Sequence, residues 1–112
     1  MASTANNLFK TMKFSKNHNN KLNCNIFTTI RPAEYNYRTG QKINIHETFS
    51  NRATDTGEII MRLQYTWNDL PEFICLLDYG APKSDLAKLF TKFYGVQFDS
   101  MVYDVLVIRR NV

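Results

Sequence analysis

The sequence predicts an α+β fold, in which a small mixed β-barrel of about five to six strands carries a two-helix insertion before its last strand. Three observations predict it. The first two thirds of the chain contain several short segments in which apolar and polar residues alternate. Two segments with helical spacing then follow each other directly, and the chain closes on a nearly all-apolar strand. This order suits a short antiparallel meander with one end covered by helices.

Composition agrees with one ordinary globular domain. The 112 residues include 44% hydrophobic and 21% charged residues, which argues against a disordered, collagenous or coiled-coil chain. We expect residues 1–10 to form a flexible tail and residues 11–112 to form the single domain. Because no run approaches ~18 apolar residues and the first residues lack an apolar signal segment, we expect a cytoplasmic protein that does not contact membranes.

Four segments, 11–15, 26–31, 41–49 and 58–67, have the alternation of β-strands. In the second, the pattern places Phe27, Thr29 and Arg31 on one face. In the third, Glu47 falls among apolar neighbours, so its carboxylate is expected to be paired. The fourth has the cleanest alternation and predicts that every second residue from Ile59 to Trp67 points inward.

The next two segments have helical spacing. The first is expected to begin at Asn68 or Asp69 and to end at Gly80. The second begins at the capping residue Ser84 and ends at Gly95. Their predicted core-facing residues are Leu70, Phe73, Ile74 and Leu77 in the first and Leu86, Leu89, Phe90, Phe93 and Tyr94 in the second. The final segment, 101–108, is apolar except for Asp104 and predicts a central strand covered on both sides.

The charge of the chain is unevenly distributed. The net charge is +4, but residues 1–46 hold seven basic and one acidic side chain, whereas residues 47–112 hold seven basic and nine acidic ones. This asymmetry indicates an anionic partner for one face, and nucleic acid is the first choice. The alternative is a solvated basic surface that only keeps the protein soluble. Two separate cysteines and two separate histidines do not form a zinc motif, so the sequence predicts no metal and no cofactor.

Several motifs together indicate a family. They are a Thr-x-Arg strand end at Thr29 and Arg31, the block IFTTIRPAEYNYRTGQKINI with its Tyr-Arg-Thr-Gly turn, and LPEFICLLDYGAPKSDLAKLFTKFYG, in which the last helix ends in Tyr-Gly. In order and spacing, residues 20–110 resemble the ASCH family of PUA-like β-barrels. The resemblance implies a cleft between the Thr-x-Arg strand and the helical insertion. It also implies either RNA binding or hydrolysis of an N4-acylated cytidine nucleoside.

The family's Gly-x-Lys-x-x-x-x-Arg motif is incomplete in this chain. Cys24 and Ile26 stand where the glycine and lysine belong. In the amidohydrolase branch that lysine activates a threonine, and isoleucine cannot remove its proton. The interpretation therefore favours binding over catalysis. If the protein is an enzyme, the resemblance leaves as candidates Thr29, Lys21 (or Lys42) as a displaced base, and Asp78 as the carboxylate on the helical insertion.

The favoured hypothesis is an RNA-binding domain without a cofactor. Its predicted contact residues combine the strand end with the basic, tyrosine-containing loop after it, where rings can stack on unpaired bases; they are Thr29, Arg31, Tyr35, Tyr37, Arg38 and Lys42. One of the two tyrosines is expected to pack under the barrel instead. Two alternatives stay open. One is the amidohydrolase. The other is a phage or mobile-element module that blocks a host protein, which the asparagine-rich composition and the altered motif suggest.

Overall fold

The computed structural model describes residues 5–111 and consists of one sheet and two α-helices with short 3₁₀ segments. The strands are β1 (Lys10–Phe14), β2 (Ile26–Pro32), β3 (Lys42–Glu47), β4 (Asp55–Thr66) and β5 (Val102–Arg110), the helices are α1 (Glu72–Tyr79) and α2 (Lys83–Tyr94), and the 3₁₀ segments are His18–Asn23, Ala33–Tyr35 and Val96–Ser100. Residues 1–4 of the predicted tail lie outside the described residues, and Lys10 already belongs to β1. The predicted two-helix insertion before the last strand is confirmed.

The five strands form a curled half-barrel in the order β1-β3-β4-β5-β2. β1 runs parallel to β3, and the other neighbours are antiparallel. The predicted meander is therefore wrong, because β2 crosses to the far edge and pairs with β5. A parallel pair needs a long crossover connection, and β2 with its flanking loops supplies it. Sequence alternation assigns the face of a strand but not its neighbour.

The inner face of the half-barrel holds one core, formed by apolar residues of all five strands with Leu22 and Tyr37. The two edge strands approach each other across this core, since the rings of Phe14 on β1 and Phe27 on β2 meet edge to face at 5.7 Å. The interior is thus filled by side chains, and a seam between β1 and β2 is left without strand pairing.

The outer face of the sheet holds a second core against the helices. Its buried members include Trp67, Ile74, Leu86, Phe90 and Tyr103. β5 supplies Tyr103 and Val105 to this core and Leu106 and Ile108 to the inner one. The predicted central strand covered on both sides is confirmed.

β4 departs from the predicted alternation. A β-bulge between Ile59 and Met61 shifts the register, and an extra residue of this kind exchanges the two faces of the strand beyond it. Met61 and Leu63 are consequently exposed, which corrects their predicted inward orientation. Arg62 and Gln64 instead reach the buried carboxylate of Asp104, at 3.2 and 3.1 Å.

Both helices begin directly after a proline, and neither uses the N-cap residue that the sequence predicts. The residues before α1 and α2 are Pro71 and Pro82, and neither helix has a side-chain cap. Gly80 ends α1 in the left-handed region with φ 69°, a conformation that glycine adopts without strain, as the sequence predicts. The predicted core stripe of α1 is wrong in part, because Phe73 and Leu77 are exposed and the buried residues are Ile74, Cys75 and Asp78.

Glu47 is paired, as the sequence predicts. Its carboxylate lies 3.3 Å from Arg52 and 3.5 Å from Arg110, and Arg110 also pairs with Asp55. Burial is the largest influence on Arg110 and lowers its pKa. This network joins β3, β4 and β5 at the end of the sheet where Arg110 also donates to the carbonyl of Leu22. None of the helices in the described residues is both long enough and apolar enough to cross a membrane.

Candidate functional site

A basic cleft opens at the seam between β1 and β2. It has a volume of about 90 Å³ and lies between the strand edges, the 3₁₀ segment His18–Asn23 and the ends of α1 and α2. Its polar lining consists of Lys13, Ser15, Lys16, His18, Lys21, Thr29 and Arg31, and its aromatic lining of Phe14, Tyr79, Phe93 and Tyr94. The lining contains four Lys or Arg side chains and no carboxylate. Lys21 is paired with Asp78 beneath the lining, so Lys13, Lys16 and Arg31 are the cations that make the cleft suited to an anion.

The side chain of Arg31 bridges the seam between β2 and β1 and lines the cleft. Its Nε donates to Oγ1 of Thr29 at 3.1 Å, and its Nη2 donates across the seam to the carbonyl of Lys13 at 2.9 Å. Its guanidinium lies 4.6 Å from the ring centroid of Phe14, a cation–π distance. Two donors are occupied in this way out of five on the guanidinium. The strand alternation that places Thr29 and Arg31 on one face therefore also brings them to one site.

A buried ion pair supports the floor of the cleft. Lys21 Nζ lies 2.9 Å from Asp78 Oδ1, and the hydroxyl of Thr28 donates to the same oxygen at 2.6 Å. Asp78 is fully buried, and its Oδ2 has no hydrogen-bond partner among the described residues. Burial lowers the pKa of Lys21, and the adjacent carboxylate of Asp78 opposes that shift. The pair joins the 3₁₀ segment to α1 and holds the ammonium group at the cleft.

The asparagines before Lys21 explain how the chain reaches this position. Asn19 and Asn20 both have φ 54°, and asparagine is one of the residues that enter the left-handed region at low cost. The amide of Asn19 donates to the carbonyl of Leu77 at 2.9 Å, which satisfies one of the free carbonyls at the end of α1. The asparagine-rich stretch thus forms helical turns with a kink at Asn19 and Asn20, and it docks on the helix.

Aromatic rings form the wall opposite Arg31. The rings of His18 and Tyr79 lie 4.5 Å apart, and those of Phe93 and Tyr94 lie 5.9 Å apart. Burial, followed by the positive charge of Lys21, lowers the pKa of His18 below its ordinary value of 6.5, so its imidazole is mostly neutral at pH 7. The rings of His18 and Tyr79 are inclined by 50° and those of Phe93 and Tyr94 by 71°, so a flat ligand can stack on one ring of each pair at a time.

The cleft collects some of the residues predicted from the sequence and not others. Thr29, Arg31 and Lys21 line it, and Asp78 lies directly beneath Lys21. Tyr35 is exposed beside Lys10, whose ammonium group lies 5.7 Å from its ring centroid, and it does not line the cleft.

Three other predicted contact residues lie outside the cleft. Tyr37 is 4% exposed and belongs to the inner core, so its predicted stacking role is wrong, because the loop folds back over the half-barrel. Arg38 is exposed in that loop, where its backbone N–H donates to the side-chain oxygen of Gln41. Lys42 lies on β3 opposite Glu58. The predicted grouping of Arg38 and Lys42 with Arg31 is therefore corrected, since neither lines the cleft.

The hydroxyl of Thr29 is held by a donor and not by a base. Its hydrogen-bond partner is Arg31 Nε, and a guanidinium has donors but no acceptor. Lys21, the candidate base, donates to Asp78. The threonine hydroxyl that does contact a carboxylate is that of Thr28, its neighbour on the other face of β2. Among residues 5–111, no cluster of three His, Cys, Asp or Glu side chains is arranged to hold a metal ion.

Sequence reasoning missed most of the aromatic wall. His18, Tyr79, Phe93 and Tyr94 come from three separate elements, and the helical spacing assigned Phe93 and Tyr94 to a core stripe. Lys13 and Lys16 could have been found, because they belong to the basic portion of the chain and flank the end of β1. No family model, curated protein or solved structure matches this chain.

Proposed function

We propose that this protein binds single-stranded nucleic acid, with RNA the expected ligand, in the basic cleft at the seam. The observation that carries the proposal is the placement of four Lys or Arg side chains and a set of aromatic rings around one small opening. The resemblance to the ASCH family supports it, because that resemblance implies a ligand beside the Thr-x-Arg strand and the helical insertion.

The chemistry of each group suggests how an unpaired nucleotide would sit. The free N–H groups of Arg31, together with the exposed amines of Lys13 and Lys16, would neutralise backbone phosphate. The exposed ring of Phe93 would stack on one unpaired base. A duplex keeps its bases inside the stack and offers no free base face to the ring of Phe93. We therefore expect a preference for single strands.

We predict that a fluorescein-labelled oligouridine binds with an affinity that falls steeply as salt rises, as measured by fluorescence anisotropy. The double variant Lys13→Gln/Lys16→Gln removes two exposed cations and should reduce the slope of log K against log salt by about 1.4, since each phosphate contact on a single strand contributes about 0.7. Arg31→Gln should weaken binding about tenfold or more, because it removes charge-assisted hydrogen bonds.

Lys42→Gln is the matched control. It removes one exposed cation from the same basic portion of the chain, outside the cleft, and should leave affinity within about twofold. Binding that does not respond to salt, equal binding of duplex and single-stranded RNA, or an equal loss in Lys42→Gln and in Lys13→Gln/Lys16→Gln would each contradict the proposal.

A second candidate function is hydrolysis of an N4-acylated cytidine, and the contact of Lys21, Asp78 and Thr28 favours it. Water would cleave the amide C–N bond, releasing the carboxylic acid and the free amine. If this function holds, chromatography should detect cytidine released from the acylated nucleoside, and Thr28→Val or Thr29→Val should abolish the release. The absence of release by the unmodified protein would reject it, and so would turnover that survives both substitutions.

A further inference from the structure

The outer side of the molecule has an apolar surface that the cleft does not use. Six large apolar residues on β2, β4 and α1 are between 41% and 63% exposed, and we call them the apolar face: Ile26, Met61, Leu63, Phe73, Leu76 and Leu77. A groove of about 170 Å³ runs between α1 and the strands, and none of its lining residues is charged.

The fold itself creates this face. The β-bulge turns Met61 and Leu63 outward, next to Val107 and Val105 of β5. On α1, the side chains of Phe73 and Leu77 are exposed, lie one turn apart and line the groove. These two positions have the spacing of a buried helical stripe, yet nothing in the described chain covers them.

We propose that a second copy of this chain covers the apolar face, in a twofold symmetric dimer. With roughly 150–200 Å² for each fully exposed side chain of this size, the exposed fractions of the six residues amount to about 500–600 Å² per chain. This exposed area lies at the upper end of the range for the largest apolar patch on a typical monomer, about 300–600 Å². Two such faces would bury about 1,000–1,200 Å² of apolar surface alone, which reaches the size of a specific interface.

The shape of the face meets the condition of a twofold contact, in which one patch must be complementary to itself. It carries a ridge, Phe73 and Leu77, and beside the ridge a groove floored by Leu63, Val105 and Val107. In a twofold arrangement, the ridge of each copy enters the groove of the other. An interface of this kind needs no second protein to supply a complementary surface.

The charge distribution also permits self-association. The net charge of +4 would oppose the approach of two copies, but four of the cations line the basic cleft and none lines the groove. At the margin, Arg109 is paired with Glu58 at 3.3 Å. Thr28 lines the groove and bonds Asp78, whose partner Lys21 lines the cleft. The cleft and the groove share no lining residue, and the buried pair of Lys21 and Asp78 lies between them.

The test is the mass of the full chain in solution, by sedimentation equilibrium at about 1–100 µM, the range in which a modest interface assembles. The expected mass is twice 13.1 kDa. The variant Leu63→Lys/Leu77→Lys places two charges in the interface and should weaken association at least a hundredfold, so that a single-chain mass is found. Circular dichroism should show that this variant keeps its fold, because both residues are exposed.

Val96→Lys is the control, since Val96 is 84% exposed in the 3₁₀ segment after α2 and does not line the groove. It should leave the association constant within about twofold. A single-chain mass for the unmodified protein at about 100 µM would overturn the proposal, and so would a dimer that survives in Leu63→Lys/Leu77→Lys. Oligouridine binding is measured separately, so loss of the dimer and loss of the proposed function are distinguishable.

Discussion

Replacement of Lys21 by methionine is expected to lower the free energy of unfolding by about 3–5 kcal/mol, the usual cost of leaving one member of a buried ion pair alone. Asp78 is fully buried, and its Oδ2 already lacks a partner in the described chain. Without the ammonium group, only the hydroxyl of Thr28 would remain to stabilise its charge. Urea unfolding followed by circular dichroism measures the change.

Two further variants separate this effect from a general loss of charge. Lys16→Met removes an exposed lysine of the same cleft and should change stability by less than about 0.5 kcal/mol. Lys21→Met/Asp78→Leu removes both charges and should recover most of the loss, because an apolar pair often replaces a buried ion pair at little cost. If Lys21→Met is as stable as Lys16→Met, the buried pair does not support the cleft.

Replacement of Phe90 by alanine should have a comparably large effect, with a loss of about 3–5 kcal/mol. Phe90 is fully buried and its ring contacts Trp67, Tyr79, Tyr94 and Tyr103, with centroid distances between 5.4 and 5.9 Å. It is the point at which α2 packs on the outer face of the sheet. Its removal leaves a cavity among aromatic rings, two of which also form the wall of the cleft.

Phe93→Ala is the matched variant on the same helix. Phe93 is exposed and lines the cleft, so its loss should leave urea unfolding nearly unchanged. Oligouridine binding should weaken by about 1–3 kcal/mol, the contribution of one base stacked on an aromatic ring. If Phe93→Ala destabilises the fold as much as Phe90→Ala, or if it leaves binding unchanged, the division between a core ring and a ligand-facing ring is wrong.

Much of the fold follows from local patterns in the sequence. Period-two alternation placed Phe27, Thr29 and Arg31 on one face of β2, and the structure confirms it. Gly80 and Gly95 end the two helices where the sequence predicts. The final strand was expected to be covered on both sides because of its continuous apolar run, and it contributes to both cores. Each of these features is determined within a few neighbouring residues.

The features that the sequence did not reveal depend on distant contacts. The parallel pairing of β1 with β3 and the return of β2 to β5 are choices among strands with similar patterns. The bulge in β4 inserts one residue, Ile60, into the strand. The sequence has no glycine at this position that would indicate a bulge. One of the two loop tyrosines is expected to pack under the barrel, but the sequence does not indicate which; it is Tyr37, which belongs to the inner core.

The site shows the same division. Family resemblance singled out Thr29 and Arg31, and simple strand geometry brings them together. Lys21 and Asp78 were candidates, yet their contact spans 57 positions and required the docking of the 3₁₀ segment on α1. Lys42 and Arg31 both belong to the basic portion of the chain, but net charge along a sequence does not show which face of the fold a residue occupies. The strand register places Lys42 opposite Glu58 instead.

The most direct test of the basic cleft is a map of amide chemical shifts in isotope-labelled protein as oligouridine is added. We predict that the largest shifts fall on the two sides of the seam, at residues 13–18 and 29–31, and at Phe93 and Tyr94. The signals of Leu63, Phe73 and Leu77 on the apolar face should not move. Shifts centred on Arg38 and Lys42, or no shifts at saturating oligouridine and low salt, would contradict a nucleic-acid site at the seam.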